Sequence, residues 1–144
     1  MYDDILLPTI GSPGGERAVA EAIELAELTG ARLHVLYVVE DDPRKGLSDG
    51  RWETIQEALR SEGRNVVEDV AGDATAAGIE TVTHVGEGRA DEAITEYASE
   101  EGIDAIVMGT HARTGVNKFL LGSVTENVIR RAEQPVLVVR LDEE

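Results

Sequence analysis

Arg32-Leu33-His34-Val35-Leu36-Tyr37-Val38-Val39 is apolar at consecutive positions, not at every second one. Such a run is short for a helix and rich in β-branched residues, which reads as a strand buried on both faces. A strand of that kind belongs to a parallel sheet with helices packed above and below it. Four more runs match it on either side: Asp4 to Thr9, which is the weakest, Thr81 to Val85, Ala105 to Met108 and Pro135 to Val139.

Helical patterns fill the intervals. Val19, Ala22, Ile23 and Ala26 share one face, and Gly30 follows where a helix can end in a left-handed residue. Ile55, Leu59, Val66, Val70 and Ala74 predict a long second helix ending near Gly78, with Gly63 and Gly72 as possible breaks because each costs about 1 kcal/mol against Ala. Ala90, Ala93, Ile94 and Tyr97 mark a third helix, with Asp91 and Glu92 in its positive first turn. Ser123-Val124-Thr125-Glu126 has capping-box spacing and starts a fourth that runs to about Ala132. Strand and helix alternating up to a fifth strand predict one α/β domain over residues 1–144, an open, mainly parallel five-stranded sheet with helices on both faces.

At 144 residues, 42% of them apolar and 29% charged, the chain can bury a core of its own. It has no cysteine, which excludes disulfides, thiolate nucleophiles and cysteine-ligated metals. Met1-Tyr2-Asp3-Asp4 opens with acids where an export signal needs basic residues, and Leu33 to Val39 is far too short to span a membrane. A soluble, cytoplasmic protein is expected. The net charge of −16 repels nucleic acid and anionic lipid. Only Lys45 and Lys118 are lysines, and many acids with few lysines suit a protein of concentrated salt, although an acidic protein of ordinary habitat fits the same count.

Ligands in open α/β sheets sit beyond the carboxyl ends of the strands, where strand order reverses. Of the loops there, Gly109 to Ser123 stands out: it is long, bounded by glycines, and leads into a helix whose N-terminal amides and dipole favour an anion. Gly109 to Thr125 holds Arg113 and Lys118 and no acid, a local +2 in a chain of −16. Ordinary strand-end and pre-helix glycines, with Ser123 capping its helix through Glu126, account for the same spacing. Neither a P-loop nor a dinucleotide fingerprint occurs anywhere in the chain. His111 lies in the loop as a candidate anion donor, His34 and His84 fall in strand patterns as structural residues, and the acid pairs Asp41–Asp42 and Glu100–Glu101 read as solvated. No spacing indicates a catalytic constellation or a metal site.

Met108-Gly109-Thr110-His111-Ala112-Arg113-Thr114-Gly115, Leu120-Leu121-Gly122-Ser123-Val124-Thr125-Glu126-Asn127-Val128-Ile129 and Pro135-Val136-Leu137-Val138-Val139 resemble the C-terminal half of a universal stress protein. Ile5-Leu6-Leu7-Pro8-Thr9 and Val85-Gly86-Glu87-Gly88 extend the resemblance over nearly the whole chain. It implies a Rossmann-like sheet of the adenine-nucleotide alpha-hydrolase type, ordered 3-2-1-4-5, with Pro8 to Ile10 facing Gly109 to Thr114 across the reversal. ATP-binding members carry G-x2-G-x9-G-[ST]. By position, Gly109, Gly122, Ser123, Val124 and Thr125 would hold phosphates and Val38 the adenine, with Pro8 and Thr9 as the floor. Met108 and Arg113 complete the implied set, and Arg113 and Thr114 are the candidates for contact with the terminal phosphates.

Two positions depart from that pattern. Ala112 stands where the second glycine belongs, and Ile10 where an aspartate usually lies beside the sugar. Loss of a charged acceptor costs about 1.5–3 kcal/mol, roughly ten- to a hundredfold in affinity. The resemblance therefore implies a regulatory module holding ATP or another adenine nucleotide, with Mg accompanying it; the alternatives are a dimeric stress protein without nucleotide and a weak ATPase. It also implies a homodimer joined through the strand Pro135 to Val139.

Overall fold

The computed structural model describes residues 2–9, 15–40, 51–110 and 122–141. Nine elements alternate along them: β1 (Asp4–Thr9), α1 (Glu16–Thr29), β2 (Arg32–Val39), α2 (Arg51–Ala76), β3 (Thr81–Glu87), α3 (Ala90–Glu100), β4 (Ala105–Thr110), α4 (Ser123–Arg131) and β5 (Val136–Arg140). The strands form one sheet ordered β3-β2-β1-β4-β5, and every neighbouring pair is parallel. The expected order 3-2-1-4-5 is therefore the observed one.

Consecutive apolar residues in β2 divide between two cores, as burial on both faces requires. Leu33, Val35, Tyr37 and Val39 pack with Ala18, Ala22 and Ala26 of α1 and Val67, Val70 and Ala74 of α2. Leu36 and Val38 pack on the other face with Ala90, Ile94 and Ala98 of α3 and Val128 of α4. Small alanines on α1 let that helix lie close to the sheet. Gly30 ends α1 in the left-handed region (φ 77°), where its N–H donates to the Ala26 carbonyl at 2.8 Å.

The second helix is unbroken. A Cβ on Gly63 would lie 2.6 Å from Tyr37 Cδ1, so this glycine is the contact that seats α2 on β2, not a break in the helix. Nothing lies within 4 Å of the corresponding point on Gly72, and α2 carries its propensity cost without a packing return. Strands also run further than the sequence runs suggest. The fourth continues through Gly109 and Thr110 because both pair with β5, at Val139 and Arg140.

Candidate functional site

The crevice lies where β1 and β4 stop pairing. Asp4 O accepts from Asp104 N at 2.8 Å, while Asp3 O accepts from Arg32 N at 2.9 Å. Backbone polar groups alternate sides along a strand, so the even-numbered residues of β1 address β4. The next donor on that side after Leu6 would be residue 8, and Pro8 has no N–H to give. The register between β1 and β4 holds at Ile5↔Ala105 and Leu6↔Ile106 among the described residues, whereas β1 stays with β2 through Thr9↔Tyr37. Beyond Leu6 the two central strands are no longer laddered, and a cavity of about 340 Å³ opens there.

Every described residue of the expected set borders this one cavity: Pro8 and Thr9 from β1, Val38 from β2, Met108 and Gly109 from β4, and Gly122, Ser123, Val124 and Thr125 at the start of α4. Ile10, Ala112 and Arg113 lie outside the described residues, as do His111, Thr114 and Lys118. Leu7, Leu36, Ala18, Val19, Ala90 and Ile94 make the walls apolar. Glu40, just past β2, is the one ionisable side chain among the described lining residues.

The polar end is α4. Its N-cap is Gly122 (φ −63°, ψ 152°), with no side-chain cap, and Ser123 is the first helical residue. That corrects the capping-box reading, in which Ser123 capped the helix with Glu126. Glu126 Oε2 instead accepts from Arg130 Nη2 at 2.9 Å, one turn along. The first intrahelical bond runs from Glu126 N to Gly122 O, leaving the N–H groups of Ser123, Val124 and Thr125 outside the helical ladder. Thr125 is only 4% exposed, and its hydroxyl has no hydrogen-bond partner among the described residues.

Ten described lining residues lie outside the expected set, Thr110 and Leu141 among them. Thr110 is 6% exposed, and its Oγ1 accepts from Gly122 N at 3.0 Å. Leu141 donates its N–H to Thr110 O at 2.9 Å and lays its side chain over Gly109, whose Cβ would stand 2.7 Å from Leu141 Cδ1. Gly109 thus makes room for Leu141 as well as for the cavity. The available signal was a single apolar residue ahead of the acidic run Asp142-Glu143-Glu144.

His34 and His84 lie outside the cavity. His34, 4% exposed, has Nε2 at 2.8 Å from Asp4 Oδ1 and Nδ1 at 2.8 Å from the Tyr97 hydroxyl. A carboxylate only accepts, so Nε2 carries the proton, and in the neutral ring Nδ1 accepts from Tyr97. His84 packs against the same tyrosine ring with centroids 5.6 Å apart. Burial, helped by Glu101 and Asp4, pushes the Tyr97 hydroxyl up to about 12. Among the described residues no three His, Asp or Glu side chains gather to hold a metal ion.

An open, doubly wound α/β protein with an apolar crevice at the strand-order reversal, bordered at one end by a helix N-terminus, is the class these features define. The model of the universal stress protein family matches residues 1–140, and the chain belongs to that family. Universal stress protein MJ0531 of Methanocaldococcus jannaschii is 40% identical over 97% of this chain and 83% of its own length. The solved structure of MJ0577, from the same organism, superposes with a TM-score of 0.86 at 31% identity, covering 100% of this chain and 99% of that one. An Archaeoglobus fulgidus universal stress protein solved in complex with dAMP superposes with a TM-score of 0.69 at 26% identity over 96% of this chain and 98% of its own. Another family structure, solved with cAMP, gives 0.71 at 25% over 98% of each chain.

Proposed function

We propose that this protein is a regulatory module that holds ATP or another adenine nucleotide in the crevice between β1 and β4. The observation that carries this reading is the cavity itself. Its apolar strand-end wall suits a purine, and at its other end lie three unladdered amides of α4 and the Thr125 hydroxyl, which has no hydrogen-bond partner among the described residues. The complexes of related proteins with dAMP and cAMP support the same ligand class. Val38 would border the base, Pro8, Thr9 and Met108 the floor, and Gly109, Gly122, Ser123, Val124 and Thr125 the phosphates. Arg113 and Thr114 would meet the terminal phosphates, and Mg would arrive with the nucleotide. Ile10 and Ala112 set the affinity below that of a chain with aspartate and glycine there. Occupancy would order the crevice and thereby alter what the surface offers to partners.

The second half of the reading concerns assembly. The β5 strand is an edge, and Leu137 on it is 43% exposed. An apolar edge strand invites pairing with its twofold mate, and a homodimer through 135–139 would cover it.

The test is to extract the purified protein with acid, assay the extract for adenine nucleotides, and titrate the stripped protein calorimetrically with ATP, AMP and adenosine. Saturable binding of ATP at one site per chain is expected. No heat and no co-purified nucleotide up to millimolar ligand would defeat the reading.

A further inference from the structure

We infer that Thr110 is a positioning residue for the phosphate end of the ligand, acting through Gly122; the inference rests on the nucleotide reading above. Thr110 is the last residue of β4, and twelve positions separate it from Gly122, the N-cap of α4. One hydrogen bond, Gly122 N–H to Thr110 Oγ1 at 3.0 Å, joins the two ends of that connection. The contact is tight: a Cβ on Gly122 would come within 3.3 Å of the same oxygen. Both residues line the cavity, and Thr110 is 6% exposed, so its hydroxyl does not exchange this partner for bulk water.

Geometry gives the bond its role. It uses the amide of the cap residue, Gly122, and leaves those of Ser123, Val124 and Thr125, which make no intrahelical bond, for an incoming anion. It also sets where those amides lie relative to the strand-end wall that would hold the base. A hydroxyl that accepts from Gly122 still carries its own proton, so beside the buried Thr125 hydroxyl it supplies a second donor inside the same cavity. The base end, at Val38, touches none of this. Loss of the Thr110 hydroxyl should therefore weaken ligands in proportion to their dependence on phosphate contacts.

Thr110→Val keeps the shape and removes the acceptor; Thr110→Ser keeps the acceptor. Calorimetry with ATP, AMP and adenosine on the wild type and both variants separates a positioning role from a structural one. Thr110→Val is expected to bind ATP and AMP about tenfold more weakly, to bind adenosine as the wild type does, and to be rescued by Thr110→Ser. Amide exchange in the absence of ligand should show Gly122 N–H protected in the wild type and in Thr110→Ser, and unprotected in Thr110→Val. If Thr110→Val does not fold, Thr110→Ala serves in its place. Unchanged ATP affinity in the valine variant, or equal losses for ATP and adenosine, would overturn the inference while leaving the nucleotide reading intact. A wild type that binds neither ATP nor adenosine would remove both.

Discussion

Asp4 gathers two donors at the start of β1: Nε of Arg32 at 2.9 Å and Nε2 of His34 at 2.8 Å. Burial acts to raise its pKa, but the hydrogen bonds from His34 and Arg32 outweigh it and hold the carboxyl below its ordinary value. A depressed carboxylate contributes stability that is fully present above the unfolded-state value and is lost as pH falls through the lowered folded-state value. Asp91 behaves alike: hydrogen bonds from Arg89 hold it down against its burial. Asp4→Asn should therefore lower stability at neutral pH and flatten its decline through the acid range. Urea melts of wild type and variant from pH 7 to pH 3 check this, and parallel profiles would mean that the carboxylate does not matter. His34 was recognisable in the sequence as structural, because it interrupts a buried apolar strand. Its partners were not, since Asp4 and Tyr97 lie 30 and 63 positions away.

Elements show the same division between pattern and contact. Periodicity marked all four helices and the β-branched runs all five strands, because both are local properties of the chain. What periodicity cannot report is what a glycine faces. Gly63 and Gly72 look alike in the sequence, yet one lies against Tyr37 and the other against nothing. Gly72→Ala should raise stability by about 1 kcal/mol through helix propensity alone. Gly63→Ala gains the same propensity but overpacks a buried ring, for a net loss of about 1–2 kcal/mol. Thermal unfolding of the two variants reads the opposite signs directly; two stabilised proteins would mean that α2 can lift off Tyr37 without cost. The start of α4 was misread for a related reason. Ser123-x-x-Glu126 satisfies the capping-box spacing, but the Thr110 hydroxyl, supplied by a strand twelve residues earlier, already anchors Gly122 at the cap position.

At the scale of the molecule, the charge of −16 and the apolar edge at β5 pull against each other. Like charge opposes association at low ionic strength, and screening relieves it within about 10 Å at 0.1 M salt. Sedimentation across a salt series should show the proposed dimer strengthening as salt is added; a monomer at every concentration would rule out pairing through 135–139. Composition announced the charge, whereas the position of the edge depended on strand order, which only the family resemblance supplied. The break that Pro8 makes in the β1–β4 ladder has a mechanical side as well. The sheet is a three-stranded ribbon and a two-stranded ribbon welded at Leu6↔Ile106 and the pair before it, like two boards nailed at one end. Load applied across the strands would part them along that seam first, and a molecule lodged in the open end would act as a rivet, bracing the sheet at the place where its own backbone leaves it unfastened.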